Sequence, residues 1–292
     1  MPNIINTSIS SPPATGTIAI QGYEGSFHQE AARIFWGKKT IVQPCDTFRE
    51  LIRETELNPM VGGAVMAIEN SIAGSILPNY SLLQKSNLLI IGEVYLHIRQ
   101  QLLANHGVAL EDIREVHSHP MALLQCMDYL ESQAGWKLME TEDTALSAKH
   151  IGQRHHKHAA AIASKLAAEL YNLNVLVPNI HTMKNNFTRF LVLVRKENAH
   201  EVADANKASL NFITNHTQGS LAKVLTTIAE GGINLSKLQS VPIPGSDFMY
   251  SFHADMEFEQ LGQFESIMEK IKPHTQQVKL FGVYKRGAIK KL

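Results

Sequence analysis

The order of apolar runs predicts an α/β protein of two lobes facing each other across a cleft, followed by a separate ferredoxin-like βαββαβ unit. Three observations carry that expectation. Strand-like and helical segments alternate between residues 17 and 197, the rhythm of sheets covered by helices. A long β-rich run, "LLIIGEVYLHIRQQLLAN" at residues 88–105, breaks that rhythm and predicts a crossing from one lobe into the other. A polar connection, "ENAHEVADANK", then separates this region from a second set of strands and helices.

The first lobe opens with a strand in "TIAIQGYEG", then a helix in "SFHQEAARIFWG" stopped by Gly37. "TIVQPC" is the second strand, "DTFRELIRETE" a helix with Asp46 at its N-cap, and "VGGAVMAIENS" the third strand. In the second lobe "IREVHSHPMALLQCMDYLES" is a strand and then a helix whose start is marked by Ser118, His119 and Pro120. "WKLMETEDTALSAKHIG" repeats the plan, with a helix beginning near Asp143 and Thr144. "HAAAIASKLAAELYNL" is predicted as an Ala-rich helix, and "NVLVPNI" and "TRFLVLVRK" as strands. The expected spans are 17–96 with 180–197 for lobe 1 and 97–179 for lobe 2. The C-terminal unit, 207–286, reads strand, helix, strand, strand, helix, strand. Its sheet edge could pair with a second copy.

Composition narrows the partners. Lys plus Arg and Asp plus Glu each number 27, so the formal net charge is zero and neither nucleic acid nor a membrane is expected as partner. Small-molecule chemistry is the remaining expectation. Cys45 and Cys126 are far apart and in no CxxC pattern, which reads as reduced thiols in a cytoplasmic protein. No apolar run reaches the ~18 residues of a membrane helix. Residues 1–16, rich in Ser, Pro and Thr, lack a signal-peptide pattern and read as a flexible tail. "HHKH" at 155–158 lacks partners at metal-ligand spacing and is read as a solvated turn between helices.

Four polar clusters fall at strand ends: "GYEGSFHQ", "AIENSIAGS", "HSHPMALLQC" and "NNFTRF". Such ends face the cleft of an α/β fold. Each also has a plain structural reading. Ser118 can cap a helix, Asn70 and Ser71 can close a turn, and Thr188 can be an ordinary strand residue. Strand alternation points Thr188 and Phe190 one way and Arg189 the other.

Taken in order, "GSFHQEAA", "AIENSIAGS", "SHPMALLQC", "TALSA", "AAIAS" with "YNLNVL", and "NNFTRF" resemble the prephenate dehydratase family, over about Thr17 to Arg286. The resemblance implies a two-lobed catalytic domain of the periplasmic-binding-protein type and a C-terminal ACT regulatory domain. It implies the conversion of prephenate to phenylpyruvate, water and CO2, without metal or organic cofactor. By resemblance Thr188, Asn70, Ser118 and Gln125 are the catalytic set. Ser26, Ser71, Thr144, Arg189 and Phe190 are expected around the substrate, with Arg189 either binding a carboxylate or bracing the cleft. Helix N-termini near Ser71 and Ser118 would add N–H donors for the carboxylates.

For the ACT unit the resemblance implies feedback by L-phenylalanine at an interface between two copies, hence a homodimer or homotetramer. Its site would hold Gly219, Ser220, Leu221 and Ala222 with Gln239 and Ser240. The family's Glu-Ser-Arg-Pro reads Gln239, Ser240, Val241, Pro242 here, so two charges are missing. The alternatives are an arogenate dehydratase or a non-catalytic amino-acid sensor. A fused chorismate mutase domain is not expected, given the short polar start.

Overall fold

The computed structural model describes residues 16–289 apart from 216, 244, 247 and 248, so the expected tail lies outside the described residues up to Gly16. Three sheets organise the chain. The first contains β1 (Thr17–Gln21), β2 (Val42–Cys45), β3 (Val61–Asn70), β4 (Gly74–Ser75), β5 (Leu89–His97) and, returning late, β11 (Phe187–Val194). Its order is β2-β1-β3-β11-β5, with the short β4 hairpinned onto β3. Helices α1 (Phe27–Trp36), α2 (Phe48–Leu57) and α3 (Leu77–Lys85) cover it. β3 is apolar almost throughout because both of its faces are covered, which abolishes the period-two pattern of a half-exposed strand.

The second sheet has the order β10-β6-β9-β7-β8, built from β6 (Gln101–Ala104), β7 (Glu115–Ser118), β8 (Lys137–Glu140), β9 (Ala159–Ala163) and β10 (Asn174–Val177). Helices α4 (Pro120–Gln125), α5 (Met127–Glu131), α6 (Thr144–Gln153) and α7 (Lys165–Leu170) accompany it. The chain crosses between the sheets twice, at residues 98–100 and 178–186. The β-rich run therefore does carry the chain across, as its composition predicts.

The third sheet has the order β13-β14-β12-β15, the ferredoxin-like arrangement, from β12 (Lys207–Thr214), β13 (Asn234–Pro242), β14 (Tyr250–Glu257) and β15 (Thr275–Tyr284). Helices α8 (Ser220–Glu230) and α9 (Leu261–Ile271) pack on one face through Val224, Ile228, Phe264 and Ile267. The other face docks on the first lobe. Val241, Phe281 and Tyr284 enter the apolar cluster that contains Ile68, Leu191 and Leu193. β15 comes so close to β5 that a Cβ on Gly282 would lie 2.0 Å from the Ile90 carbonyl oxygen. The connection before β12 is not a bare linker, since Val202 and Ala205 are buried in the third core.

Several local expectations are corrected. The segment "AAAIA" is a strand, not a helix. All five residues are buried, and β9 sits centrally between β6 and β7, where its covered faces outweigh alanine's helix propensity. Ser164 then starts the short helix α7, its hydroxyl accepting from the Ala167 N–H. Thr47, not Asp46, caps α2. "HHKH" joins a helix to a strand, not two helices, and among the described residues no group of three or more His, Cys, Asp or Glu is placed to hold a metal. Helix α3 has no counterpart in the sequence reading.

Candidate functional site

The cleft is built where strand ends of the first two sheets meet. Asn70 ends β3 and Thr188 stands opposite it on β11. The Asn70 Nδ2 donates to Thr188 Oγ1 at 3.0 Å and to Asn186 Oδ1 at 2.7 Å. Its own Oδ1 accepts from the N–H groups of Ile72 and Ala73, both at 2.9 Å. Those two backbone donors fix which end of the amide is oxygen, so the NH2 must face Thr188. Asn186 passes the chain of bonds to the other lobe, its Nδ2 donating to Gln125 Oε1 at 3.1 Å. Gln100, on the first crossing segment, donates to the same oxygen at 3.3 Å.

Three of the expected catalytic residues, Thr188, Asn70 and Gln125, thus belong to one hydrogen-bond network. Asn186 links them and is fully buried. The sequence reading passed over Asn186, although it sits in "NNFTRF", because a turn explains an Asn before a strand equally well. Gln100 was also missed; its Oε1 is buried and has no partner among the described residues.

Ser118 ends β7 and is fully buried, with its hydroxyl donating to the Ile162 carbonyl at 2.7 Å. It is not a helix cap: His119 accepts the Met121 N–H in that role. The expected helix N-terminus at Ser71 is absent. Asn70 pairs onward into the β4 hairpin, and α3 begins only at Leu77. Ser71 instead ties the hairpin to the start of β11, donating to the Asn185 carbonyl at 3.1 Å and accepting from the Phe187 N–H at 2.9 Å.

Ser26 is the N-cap of α1, accepting from Gln29. Thr144 is the first residue of α6, which Asp143 caps. The two helix starts meet across the cleft. A Cβ on Gly22 would lie 2.5 Å from Asp143 Oδ2, and one on Gly25 would lie 2.9 Å from Ala167 Cα. Both glycines have φ near +90°, which non-glycine residues rarely adopt. Ser164 Oγ donates to the Gly25 carbonyl at 2.6 Å, and Tyr171 OH to that of Glu24 at 2.6 Å. The lobes are therefore latched together by one glycine loop. Burial raises the Asp143 carboxyl, against the pull of the Leu146 N–H.

Phe190 shares the Thr188 face and is almost fully buried, with its ring 4.9 Å from that of His28. It backs the cleft wall. Enclosure of the His28 ring lowers its pKa to about 3, so it stays neutral. His181, on the second crossing, is lowered to about 4 by burial and then by Lys184, His97 and Arg99. A cavity of about 900 Å³ opens beside the network rather than on it, with Phe27, Tyr95, Arg99, Lys165 and Phe187 in its walls.

Arg189, expected at the substrate or as a brace, points away from the cleft. Strand alternation sends it to the third sheet. Its Nε donates to Glu93 at 2.6 Å, one terminal nitrogen to Asp255 and the other to Tyr284 OH at 3.2 Å. All three nitrogens are engaged, which leaves none for a substrate carboxylate. Burial alone would raise the Asp255 carboxyl, but Arg189, His253 and Lys207 hold it well below the usual carboxylate range. Lys207 donates to both oxygens of Glu93 at 3.1 Å, completing a buried cluster between lobe and C-terminal unit.

In that unit Gly219, Ser220, Leu221 and Ala222 line a cavity of about 630 Å³ at the start of α8. Gly219 adopts φ +80° there. Gln239 and Ser240 lie on the edge strand β13, outside that lining.

Comparison with known proteins places this geometry in a lineage. The family described as prephenate dehydratase matches residues 18–198. A chloroplastic arogenate dehydratase/prephenate dehydratase of Arabidopsis thaliana is 39% identical over 249 residues, 82% of this chain and 65% of the relative. This chain thus spans just under two thirds of that protein's length. A bifunctional chorismate mutase/prephenate dehydratase of Enterobacter agglomerans is 32% identical over 288 residues, 96% of this chain and 74% of the relative. Among solved structures, GqqA, titled a novel type of quorum quenching acylase, is 29% identical with a TM-score of 0.83, covering 92% of this chain and 98% of that one. The prephenate dehydratase of Arthrobacter aurescens, solved with L-Phe, is alike in fold, with a TM-score of 0.81 at 24% identity, over 92% of this chain and 90% of that one. No helix among the described residues is long and apolar enough to cross a membrane. With the match over 18–198 and relatives aligned along most of its length, this chain belongs to the prephenate dehydratase family.

Proposed function

We propose that this protein converts prephenate to phenylpyruvate, with L-phenylalanine as an effector bound at the ACT unit. The observation that carries the reading is the Asn70 amide donating to Thr188 Oγ1. Because Asn70 occupies a lone pair of that oxygen, the hydroxyl proton of Thr188 is free to point at a ligand. The bond also withdraws charge from the oxygen and makes the hydroxyl a better donor.

The chemistry asks for little more. The bond from the ring to its carboxylate breaks and releases CO2. Its electron pair moves through the ring to the carbon bearing the hydroxyl. The C–O bond breaks with its own electron pair, and the departing hydroxide takes a proton from Thr188 and leaves as water. The ring becomes aromatic, and Thr188 regains its proton from solvent. Orientation and one well-aimed proton donor are what the protein must provide. Gln125 and Gln100, both neutral, are suited to hold a carboxylate without pinning the one that must leave.

The regulatory reading rests on the cavity at Gly219–Ala222 and on the exposed edge of β13, where a second copy would complete the sheet. Val241, which replaces a family arginine, is turned into the shared core and so offers no charge to an effector. The oligomer implied is a homodimer or homotetramer.

Arogenate, the aminated analogue, is the second reading, because the Arabidopsis relative carries both names. Acyl transfer is disfavoured: burial pushes both thiols up to about 12, and Thr188 faces an amide rather than a base. The deciding experiment measures turnover of prephenate and of arogenate with and without L-phenylalanine. Phenylpyruvate formed from prephenate, and suppressed by L-phenylalanine, is the expected result. Turnover of arogenate far above that of prephenate overturns the choice of substrate.

A further inference from the structure

The residues next to Thr188 and Asn70 are Arg189 and Glu69. Neighbours along a strand point to opposite faces, so this second pair looks at the C-terminal unit while the first looks at the cleft. Arg189 and Glu69 are register partners across β11 and β3, as Thr188 and Asn70 are. A β-bulge follows at once, since Phe190 pairs with Ala67 and Ile68 is skipped. A bulge ties the two adjacent pairs to one short stretch of ladder, so a displacement of one pair is carried into the other.

Facing them on the third sheet are Lys237 of β13 and Asp255 of β14, which are themselves register partners. The charges alternate across the gap. Lys237 Nζ donates to Glu69 Oε1 at 2.6 Å and to Ser75 Oγ at 2.7 Å, and Asp255 accepts from Arg189. Lys237 lies two residues before Gln239, on the same face of β13. Gln239 in turn pairs in register with His253, which contacts Asp255 at 3.4 Å.

We propose that Lys237–Glu69 and Asp255–Arg189 are positioning pairs through which the C-terminal unit sets the geometry of Asn70 and Thr188. A shift of β13 relative to β14 must move Glu69 relative to Arg189, because each strand holds one of them. That movement is passed to the opposite face, where it changes the hydrogen bond between Asn70 and Thr188. The four charges join β13, which carries Gln239 and Ser240, to the two strands that carry Asn70 and Thr188. The effector part of this inference rests on the regulatory reading above; the positioning part does not.

The test uses the full chain with Lys237→Met, which keeps the aliphatic stem, and Lys237→Arg, which keeps the charge. Kinetics on prephenate are measured beside calorimetric binding of L-phenylalanine. The expected result for Lys237→Met is a kcat changed by about three- to tenfold with KM within about twofold. L-phenylalanine still binds but no longer inhibits, and Lys237→Arg restores both properties. Glu69→Gln serves as the variant from the lobe side and should behave like Lys237→Met. Wild-type kcat together with wild-type inhibition in Lys237→Met and Glu69→Gln overturns the proposal. If the unaltered protein binds no L-phenylalanine, the effector reading fails, and the kcat of the two variants still decides whether the pairs position the site.

Discussion

Asn70 faces Thr188 across the β3–β11 ladder, and its side-chain amide lies 3.0 Å from the threonine hydroxyl. Both residues are almost wholly buried, so neither is held there by solvent exposure. Thr188→Ala removes the proposed proton donor and should lower kcat by about 10²–10⁴-fold while the fold persists. Thr188→Ser should retain much of the activity. Asn70→Ala leaves the Ile72 and Ala73 donors unpaired and should cost both rate and stability. Steady-state phenylpyruvate formation with circular dichroism checks all three.

Gly25 is where the backbones of the two lobes come together, beside Ala167. Alanine there meets a left-handed backbone, costing about 1–2 kcal/mol, and a Cβ 2.9 Å from the Ala167 backbone. The expected outcome of Gly25→Ala is a wedge between the lobes. KM for prephenate rises and the melting temperature falls, measurable by kinetics and differential scanning fluorimetry. Loss of stability with KM unchanged would show that the latch serves folding alone.

His181 should make stability pH-dependent. Its pKa in the fold is about 4, below the ordinary histidine value of about 6.5. Between these values the unfolded chain binds a proton that the folded chain refuses. Stability therefore falls as pH drops from about 6.5 toward 4, by up to about 1.4 kcal/mol per pH unit from this group. Urea titrations over that window should show a shallower pH slope for His181→Gln.

Asp255 gives the same sign of pH dependence in a lower window, because its charged form is the one the fold favours. Its carboxyl is depressed in the fold, so its contribution is complete above the ordinary carboxylate range and is lost only as pH falls through the folded value. Asp255→Asn strips Arg189 of a buried counter-charge and should cost about 3–5 kcal/mol near neutrality. Equilibrium unfolding measures it.

Much of this architecture was legible from period and punctuation. The alternation of the first 180 residues, the crossing at 88–105 and the βαββαβ unit followed from hydrophobic pattern and turn residues. The strand β9 did not, because "AAAIA" satisfies helix propensity and a doubly covered strand alike, and only tertiary burial decides between them. At the site, Thr188, Asn70 and Gln125 could be named from their motifs, but Asn186 could not, since a bridging role depends on partners 116 and 61 positions away. Arg189 was the instructive miss. Alternation correctly turned it from the cleft, but nothing local announces the buried carboxylates that await it on β5 and β14.

The shared cluster of Val241, Phe281 and Tyr284 with Ile68, Leu191 and Leu193 bears on how such a protein can diversify. Two parts joined only by a tether can be exchanged among relatives like cassettes. Here the seam is a packed interior, with Gly282 admitting the Ile90 backbone where any larger residue would collide. A drift in volume on either side must be matched on the other. Grafting a relative's C-terminal unit onto this chain should therefore demand compensating substitutions along β5, β11 and β15 before the hybrid folds as one body.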